Sequence, residues 1–235
     1  MMALKIAVIS DIHGNIFALK NAMEDIEKRR VDLIINLGDF VGYGPYPNEV
    51  IDYIRNRKII SIKGNYDASV VDNKFSYIRN TEINKFSLPY AVSVLREENR
   101  NYLNNLPKTL VMEFKEKSIT FVHGSPRSIN EYLKEDSIEV EEVMKEFNGD
   151  VLVCAHTHIP YLKKYGNKVI INEGSIGKPK IGRPNSTYVI LNIEKGKDIQ
   201  AEFIEIPYDY NGIVELMKKK EFPEKLIQSY ETGKE

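Results

Sequence analysis

Apolar and polar positions follow two periods along this chain. Residues 4–9 form a short apolar run that ends at once in Ser10 and Asp11, with Gly14 close behind, as in a strand buried on both faces. Ile16, Leu19, Met23 and Ile26 then recur at helical spacing, with charges between them as far as Lys28, Arg29 and Arg30. Residues 31–36 read as a second buried strand, Val50, Ile51 and Ile54 as one face of a short helix, and 58–62 as a third strand. This β-α-β-α-β order predicts a parallel sheet with crossover helices.

Residues 66–106 lack strand alternation; Ile83, Phe86, Val92 and Leu95 predict helix, with a break near Pro89. Strands resume at 109–114 and 118–122 around the charged turn Lys115-Glu116-Lys117. A helix covers 138–147, and 151–155 is the most apolar strand of the chain. Two hairpins follow, 161–165 with 168–171 about Gly166-Asn167, and 187–193 with 199–206 about residues 195–198. From Asp209 the tail reads as helical, with the last few residues frayed. No repeat or linker interrupts the pattern. The expectation is an α/β domain over 1–206 with a helical insertion at about 66–106, a second sheet from the hairpins, and a helical extension over 207–235 packed on the same domain.

Composition narrows the function. The chain has 235 residues, 42% apolar and 29% charged, which is ordinary for a globular protein. Thirty-three Lys plus Arg against 34 Asp plus Glu give a net charge of −1, which argues against a stable complex with nucleic acid. The one cysteine, Cys154, excludes an intrachain disulfide and, beside Val151, Leu152 and Val153, reads as a core thiol. No apolar run approaches the ~20 residues that span a bilayer, and Ile6–Ile9 is shorter than the ~7–15 of a signal peptide. The expectation is a cytoplasmic enzyme or binding domain with no membrane partner.

The chemistry gathers at strand ends. Asp11 and His13 follow the first strand, Gly38-Asp39 the second, Gly64-Asn65 the third, His123-Gly124 the strand ending at Val122, and His156-Thr157-His158 the strand ending at Ala155. In open α/β sheets ligands bind beyond the strand C-termini. Each dipeptide alone reads as a turn or a cap; together they place all four histidines, two Asp and one Asn at one edge. Those donors exceed what one tetrahedral ion takes and suit two ions sharing a carboxylate. Alternate residues of an extended strand end point the same way, so each of the pairs Asp11/His13 and His156/His158 is expected to reach one cluster.

This order of motifs, Asp-x-His, Gly-Asp, Gly-Asn, His-Gly and His-x-His, resembles the calcineurin-like metallophosphoesterase superfamily from Leu4 to about Ile193, and within it the YfcE-like small prokaryotic phosphodiesterases. The resemblance implies a four-layer α/β/β/α sandwich of two mixed sheets flanked by helices, with a dinuclear centre at one edge. It implies that Asp11, His13, Asp39 and His158 hold one ion and Asp39, Asn65, His123 and His156 the other, Asp39 bridging. The metals would be two divalent transition-metal ions (Mn, Fe, Co, Ni or Zn) ~3.5–4 Å apart, supplying a bridging hydroxide that attacks phosphorus. Asn65 would also hydrogen-bond a phosphoryl oxygen.

Tyr66 stands where many members of the superfamily carry a catalytic histidine. With a reference pKa near 10 it is a poor acid at neutral pH, which tilts the reading from monoesters towards diesters or activated esters. The alternative is that Tyr66 only packs. Ala155 replaces a usual Gly, tolerable at negative φ. Glu173 replaces a usual Pro and reads as a solvated turn residue, with a local negative charge at the site as the other option. Arg127 and Arg183 resemble loops bordering the mouth and are candidate substrate contacts, against a solvated alternative. Tyr43 and Tyr46 are candidates for an aromatic wall. The expected function is a metal-dependent phosphodiesterase acting on a small phosphorylated substrate. Its rivals are a phosphomonoesterase or nucleotide pyrophosphohydrolase on the same centre, and a catalytically weak metal-binding regulatory protein. A homo-oligomer is left open.

Overall fold

The computed structural model describes residues 3–234. Among them the order is β1 (Leu4–Ile9), α1 (Ile16–Lys28), β2 (Leu33–Asn36), α2 (Pro47–Asn56), β3 (Ile60–Ser61), α3 (Asn65–Asp72), α4 (Glu82–Val94) and α5 (Glu97–Asn105). Then come β4 (Thr109–Phe114), β5 (Lys117–Val122), α6 (Ile138–Glu146), β6 (Val151–Cys154), β7 (Tyr161–Tyr165) and β8 (Lys168–Asn172). The chain closes with β9 (Ser186–Ile193), β10 (Gln200–Ile206), α7 (Tyr210–Lys219) and α8 (Glu224–Thr232).

Two mixed five-stranded sheets result, β10-β9-β1-β2-β3 and β4-β5-β6-β8-β7. In the first, β1, β2 and β3 run parallel and β9 lies antiparallel to β1 and β10. In the second, β5, β6 and β8 run parallel between antiparallel edges.

The period of two assigns the faces. Ile6, Val8, Ile35, Val189 and Leu191 of the first sheet meet Phe121, Val151, Val153 and Ile171 of the second in the inter-sheet core. Ala7, Ile9, Tyr188 and Ile190 point the other way, onto Leu19, Met23 and Ile26 of α1 and onto the remaining helices of that side. On the far side Leu152, Cys154 and Ile170 pack on Val140, Val143 and Met144 of α6. The layers are therefore α/β/β/α, as expected. Truncating Phe121 to Ala would open the inter-sheet core at about 3–5 kcal/mol.

Three boundaries differ from the sequence reading. Pro89 lies inside α4 and does not end it. The missing N–H is tolerated because Thr81 caps the helix by accepting from the Asn84 N–H and because Leu88 and Ala91 are buried; the breaks fall at 73–81 and 95–96. The third strand shortens to two residues, Ile60–Ser61, at the sheet edge. The tail is packed: Ile213, Val214, Met217, Leu226, Ile227 and Tyr230 join the core, and the Gly182 N–H donates to the Gly233 carbonyl at 2.8 Å. Of the residues expected to fray, Glu235 lies outside the described residues. Among the described residues no helix is long and apolar enough to cross a membrane.

Candidate metal centre

The parallel strands of both sheets deliver their C-terminal turns to one edge, and these turns are cross-linked. The Asp11 N–H donates to the Gly38 carbonyl at 3.1 Å, the His13 N–H to Asp39 O at 2.9 Å, and the Ala155 N–H to His123 O at 2.9 Å. Five of the seven candidate ligands hold left-handed backbone: Asp11 (φ 49°), His13 (48°), Asp39 (53°), His156 (66°) and His158 (61°). For residues with a Cβ that conformation costs about 1–2 kcal/mol each, and it persists because these turn-to-turn bonds hold it. Glycine is required where two turns touch. A Cβ on Gly64 would lie 2.1 Å from Asp39 Oδ1, and one on Gly38, at φ +98°, 2.2 Å from the Gly64 nitrogen.

The left-handed turns also decide which ligands meet. Asp11, His13 and His158 bring ligand atoms within 4.8 Å of one another, and so do Asp39, His123 and His156. His156 and His158 part into different groups, as the resemblance implies, and they do so from a left-handed rather than an extended backbone. Asp39 lies between the groups, its Oδ2 3.6 Å from His13 Nε2 and 3.4 Å from His123 Nε2.

The donor chemistry fits cations. His13 Nδ1 faces the Val41 carbonyl at 2.9 Å, His123 Nδ1 the Leu37 carbonyl at 2.9 Å, and His158 Nδ1 the Lys178 carbonyl. Those carbonyls hold a proton on each Nδ1 and leave Nε2 as the inward-facing ligand atom. The Nε2 atoms of His13 and His158 lie 3.2 Å apart, and Asp11 Oδ1 lies 3.0 Å from His158 Nε2. His156 Nε2 and Asp11 Oδ1, both buried, have no hydrogen-bond partner. Two ligands bound at ~2.1 Å to one ion stand ~3.0–3.4 Å apart, which is the spacing observed in the first group.

The electrostatics agree. Burial alone would raise both carboxyl groups, but His158 and His123 hold Asp11 well below the usual range, and His123 and His13 hold Asp39 down. Burial pushes His156 down to about 3 and His158 to about 4, so both are neutral. Burial also opposes the charge on His123, yet Asp39 and Asp11 outweigh it and raise the group to about 9. A site that keeps one imidazolium between two carboxylates in this way is a site built for positive charge.

Comparison with known proteins gives the family. The model of the calcineurin-like phosphoesterase superfamily domain matches residues 4–196. The chain belongs to that superfamily. The uncharacterised protein MJ0912 of Methanocaldococcus jannaschii is 33% identical over 95% of this chain and 96% of its own length. The phosphodiesterase YfcE of Escherichia coli is 24% identical over 80% of this chain and 88% of its own. Among solved structures, a metallophosphoesterase from Sphaerobacter thermophilus superposes with TM-score 0.81 at 28% identity, covering 98% of this chain and 99% of that one. A hypothetical protein, PH1004, from Pyrococcus horikoshii gives TM-score 0.86 at 27% identity, covering 98% of both chains.

Beside the candidate ligands lies a cavity of about 470 Å³. Asn65 Oδ1 faces His123 Nε2 at 2.8 Å, while its Nδ2 donates to the Tyr77 carbonyl at 3.1 Å. The Tyr66 N–H donates to Asp39 Oδ1 at 2.8 Å, and its phenol donates to Asn84 Oδ1. Burial, followed by Tyr43, pushes that phenol well above its usual range. Of the two candidate wall tyrosines, Tyr43 lines the cavity; Tyr46 precedes α2 and packs near Phe17, ring centroids 6.0 Å apart.

The structure does not bring Arg127 or Arg183 to the cavity. Arg127 is paired with Glu131 and Glu142, and Arg183 with Glu205. Local carboxylates captured both, and the cations lining the cavity are Arg79, Lys178 and Lys180. Glu173 corrects a second expectation: it is fully buried, neither carboxyl oxygen has a hydrogen-bond partner, and burial together with Asp11 raises it well above the usual range. Ala155 avoids the left-handed region. Cys154 is a buried core thiol, pushed up to about 12 chiefly by burial.

Asp67 is the residue that sequence reasoning left without a role. It accepts the N–H groups of Gly64 (2.9 Å), Asp39 (2.8 Å) and Phe40 (3.0 Å), tying the Asp39 turn to the Asn65 turn. Its signal was legible: an acid three residues past a helix N-cap reaches back to the cap N–H. Tyr132, whose ring lies 4.0 Å from that of His156, carried none.

Proposed function

We propose that this chain is a dinuclear metal-dependent phosphodiesterase acting on a small phosphorylated substrate. The observation that carries the reading is the pair of adjacent three-ligand groups, with Asp39 of the second also 3.6 Å from His13 of the first, beside a cavity lined by Arg79, Lys178 and Lys180. Two divalent cations held there would activate a water for attack on phosphorus and neutralise the phosphoryl oxygens.

The chain's own groups do the rest. Asp39 serves both groups through Oδ2 while the Tyr66 N–H fixes its other oxygen. Backbone carbonyls hold three imidazoles with Nε2 inward. Asn65 keeps its oxygen on the centre because Tyr77 captures one amide N–H, which leaves the second to meet a phosphoryl oxygen. The four histidines are taken as ligands and the Tyr66 phenol is committed to Asn84, so neither a histidine nor Tyr66 is free to protonate a leaving oxygen. That favours diesters and activated esters over monoesters with poor leaving groups.

The test is apo-protein reconstituted separately with Mn, Fe, Co, Ni and Zn and assayed on bis(p-nitrophenyl) phosphate, p-nitrophenyl phosphate and nucleotides. Higher kcat/KM for the diester is expected. A monoester preference, or no turnover with two ions bound, would contradict the reading.

A further inference from the structure

Residues 73–81, between α3 and α4, border the cavity and are pinned to its floor. The Tyr77 carbonyl accepts from Asn65 Nδ2 at 3.1 Å, and the Arg79 carbonyl accepts from Asn84 Nδ2 at 2.7 Å. The backbone of Arg79 is therefore fixed relative to the ligand turns. Its side chain, in contrast, makes no ion pair and no hydrogen bond among the described residues. Its guanidinium carbon lies 4.9 Å from the Tyr132 ring centroid, and the Tyr132 ring lies 4.0 Å from that of His156. Arg79, Tyr132 and His156 all line the cavity.

A guanidinium held over an aromatic ring engages through its charge and leaves its N–H fork to donate elsewhere. Here the fork sits one tyrosine ring away from a metal-ligand candidate, in a cavity of about 470 Å³ that exceeds the needs of a single phosphoryl group. A second cation lies over a ring beside the other ligand group: the Lys178 Nζ is 4.8 Å from the Tyr43 ring centroid, and Tyr43 meets His13 edge-on at 4.7 Å. An arginine fork near further cations suits a phosphate, which it can bind bidentately.

We infer that Arg79 is a specificity-determining residue that binds a second phosphate group of the substrate, offset from the reacting phosphorus by the span of the Tyr132 ring. The substrate class is then a phosphodiester carrying an additional terminal phosphate. The inference rests on the phosphodiesterase reading.

The test compares p-nitrophenyl thymidine 5′-phosphate with the same ester phosphorylated at its 3′-hydroxyl, on metal-loaded protein. The wild type should favour the phosphorylated ester by on the order of tenfold or more in kcat/KM, and Arg79→Gln should bring that ratio close to one. Arg79→Lys, with a point charge and no fork, should keep part of it. A wild type without preference, or a preference that survives in Arg79→Gln, overturns the inference. Calorimetric binding of thymidine 3′,5′-bisphosphate against thymidine 5′-phosphate reads Arg79 without turnover. If neither ester is hydrolysed the phosphodiesterase reading fails, and the bisphosphate affinity of Arg79→Gln still decides the role of this arginine: tenfold weaker binding supports it, unchanged binding refutes it.

Discussion

Tyr66→Phe removes one hydroxyl, and the structure separates what that does to stability from what it does to rate. The phenol donates to Asn84 Oδ1, and Asn84 is only 6% exposed, so the variant leaves a buried acceptor unpaired. That costs about 1–3 kcal/mol. At roughly 2–4 °C per kcal/mol for a chain of this size, Tm should fall by several degrees. The contact with Asp39 runs through the Tyr66 backbone N–H at 2.8 Å and survives in Phe. The loss in kcat/KM should therefore stay below about tenfold, or ~1.4 kcal/mol, and be the same for good and poor leaving groups. Removing a true general acid typically costs 10²–10⁴-fold, more for poor leaving groups. The assay is kcat/KM across aryl phosphodiesters of graded leaving-group pKa, with calorimetric melting of the same samples. A rate loss that steepens with leaving-group pKa would refute the reasoning and make Tyr66 the acid.

Further outcomes follow from the same geometry. Elemental analysis should find about two ions per reloaded chain, with Asp39→Ala losing both because its Oδ2 faces both groups; retention of one would show that the carboxylate is not shared. His123 has to give up its proton to ligate, and its folded value of about 9 lies above the unfolded ~6.5, so metal affinity should rise from pH 6.5 to 9. Calorimetry in buffers of different ionisation enthalpy would expose a pH-independent affinity. Burial and then Asp11 raise the Glu173 carboxyl well above its unfolded ~4.3, so it costs stability increasingly as pH rises above that value. Glu173→Gln should therefore raise Tm more at pH 8 than at pH 4, and an equal gain at both would contradict a buried neutral carboxyl. Arg127→Ala and Arg183→Ala, exposed and tied to glutamates, should each change kcat/KM by less than about threefold.

Much of the fold is local and was therefore legible. β1 and β6 read as buried strands because each is a short continuous apolar run covered on both faces, β9 read as one arm of a hairpin, and α1 read as a helix because Ile16, Leu19, Met23 and Ile26 lie on one side. The candidate ligands were legible for a related reason: parallel strands ending at one edge put whatever follows them there, and here every histidine of the chain follows a strand. What escaped depended on contacts across the sequence. Pro89 stays helical because its neighbours are buried by tertiary packing, which outweighs one missing N–H.

The same division holds inside the site. The sequence by itself determined the ligand types, their order and the glycines that let Gly38 and Gly64 touch. The resemblance already set His156 and His158 on different ions; the tertiary structure supplies the cause, a left-handed turn fixed by bonds to Asp11 and Lys178. Only it decided that Arg127 and Arg183 are spent on nearby glutamates while Arg79 reaches Tyr132, 53 positions away in the sequence. Periodicity encodes how deeply a residue is buried; which partner a charged side chain finds is set by the packing of segments far apart in the chain.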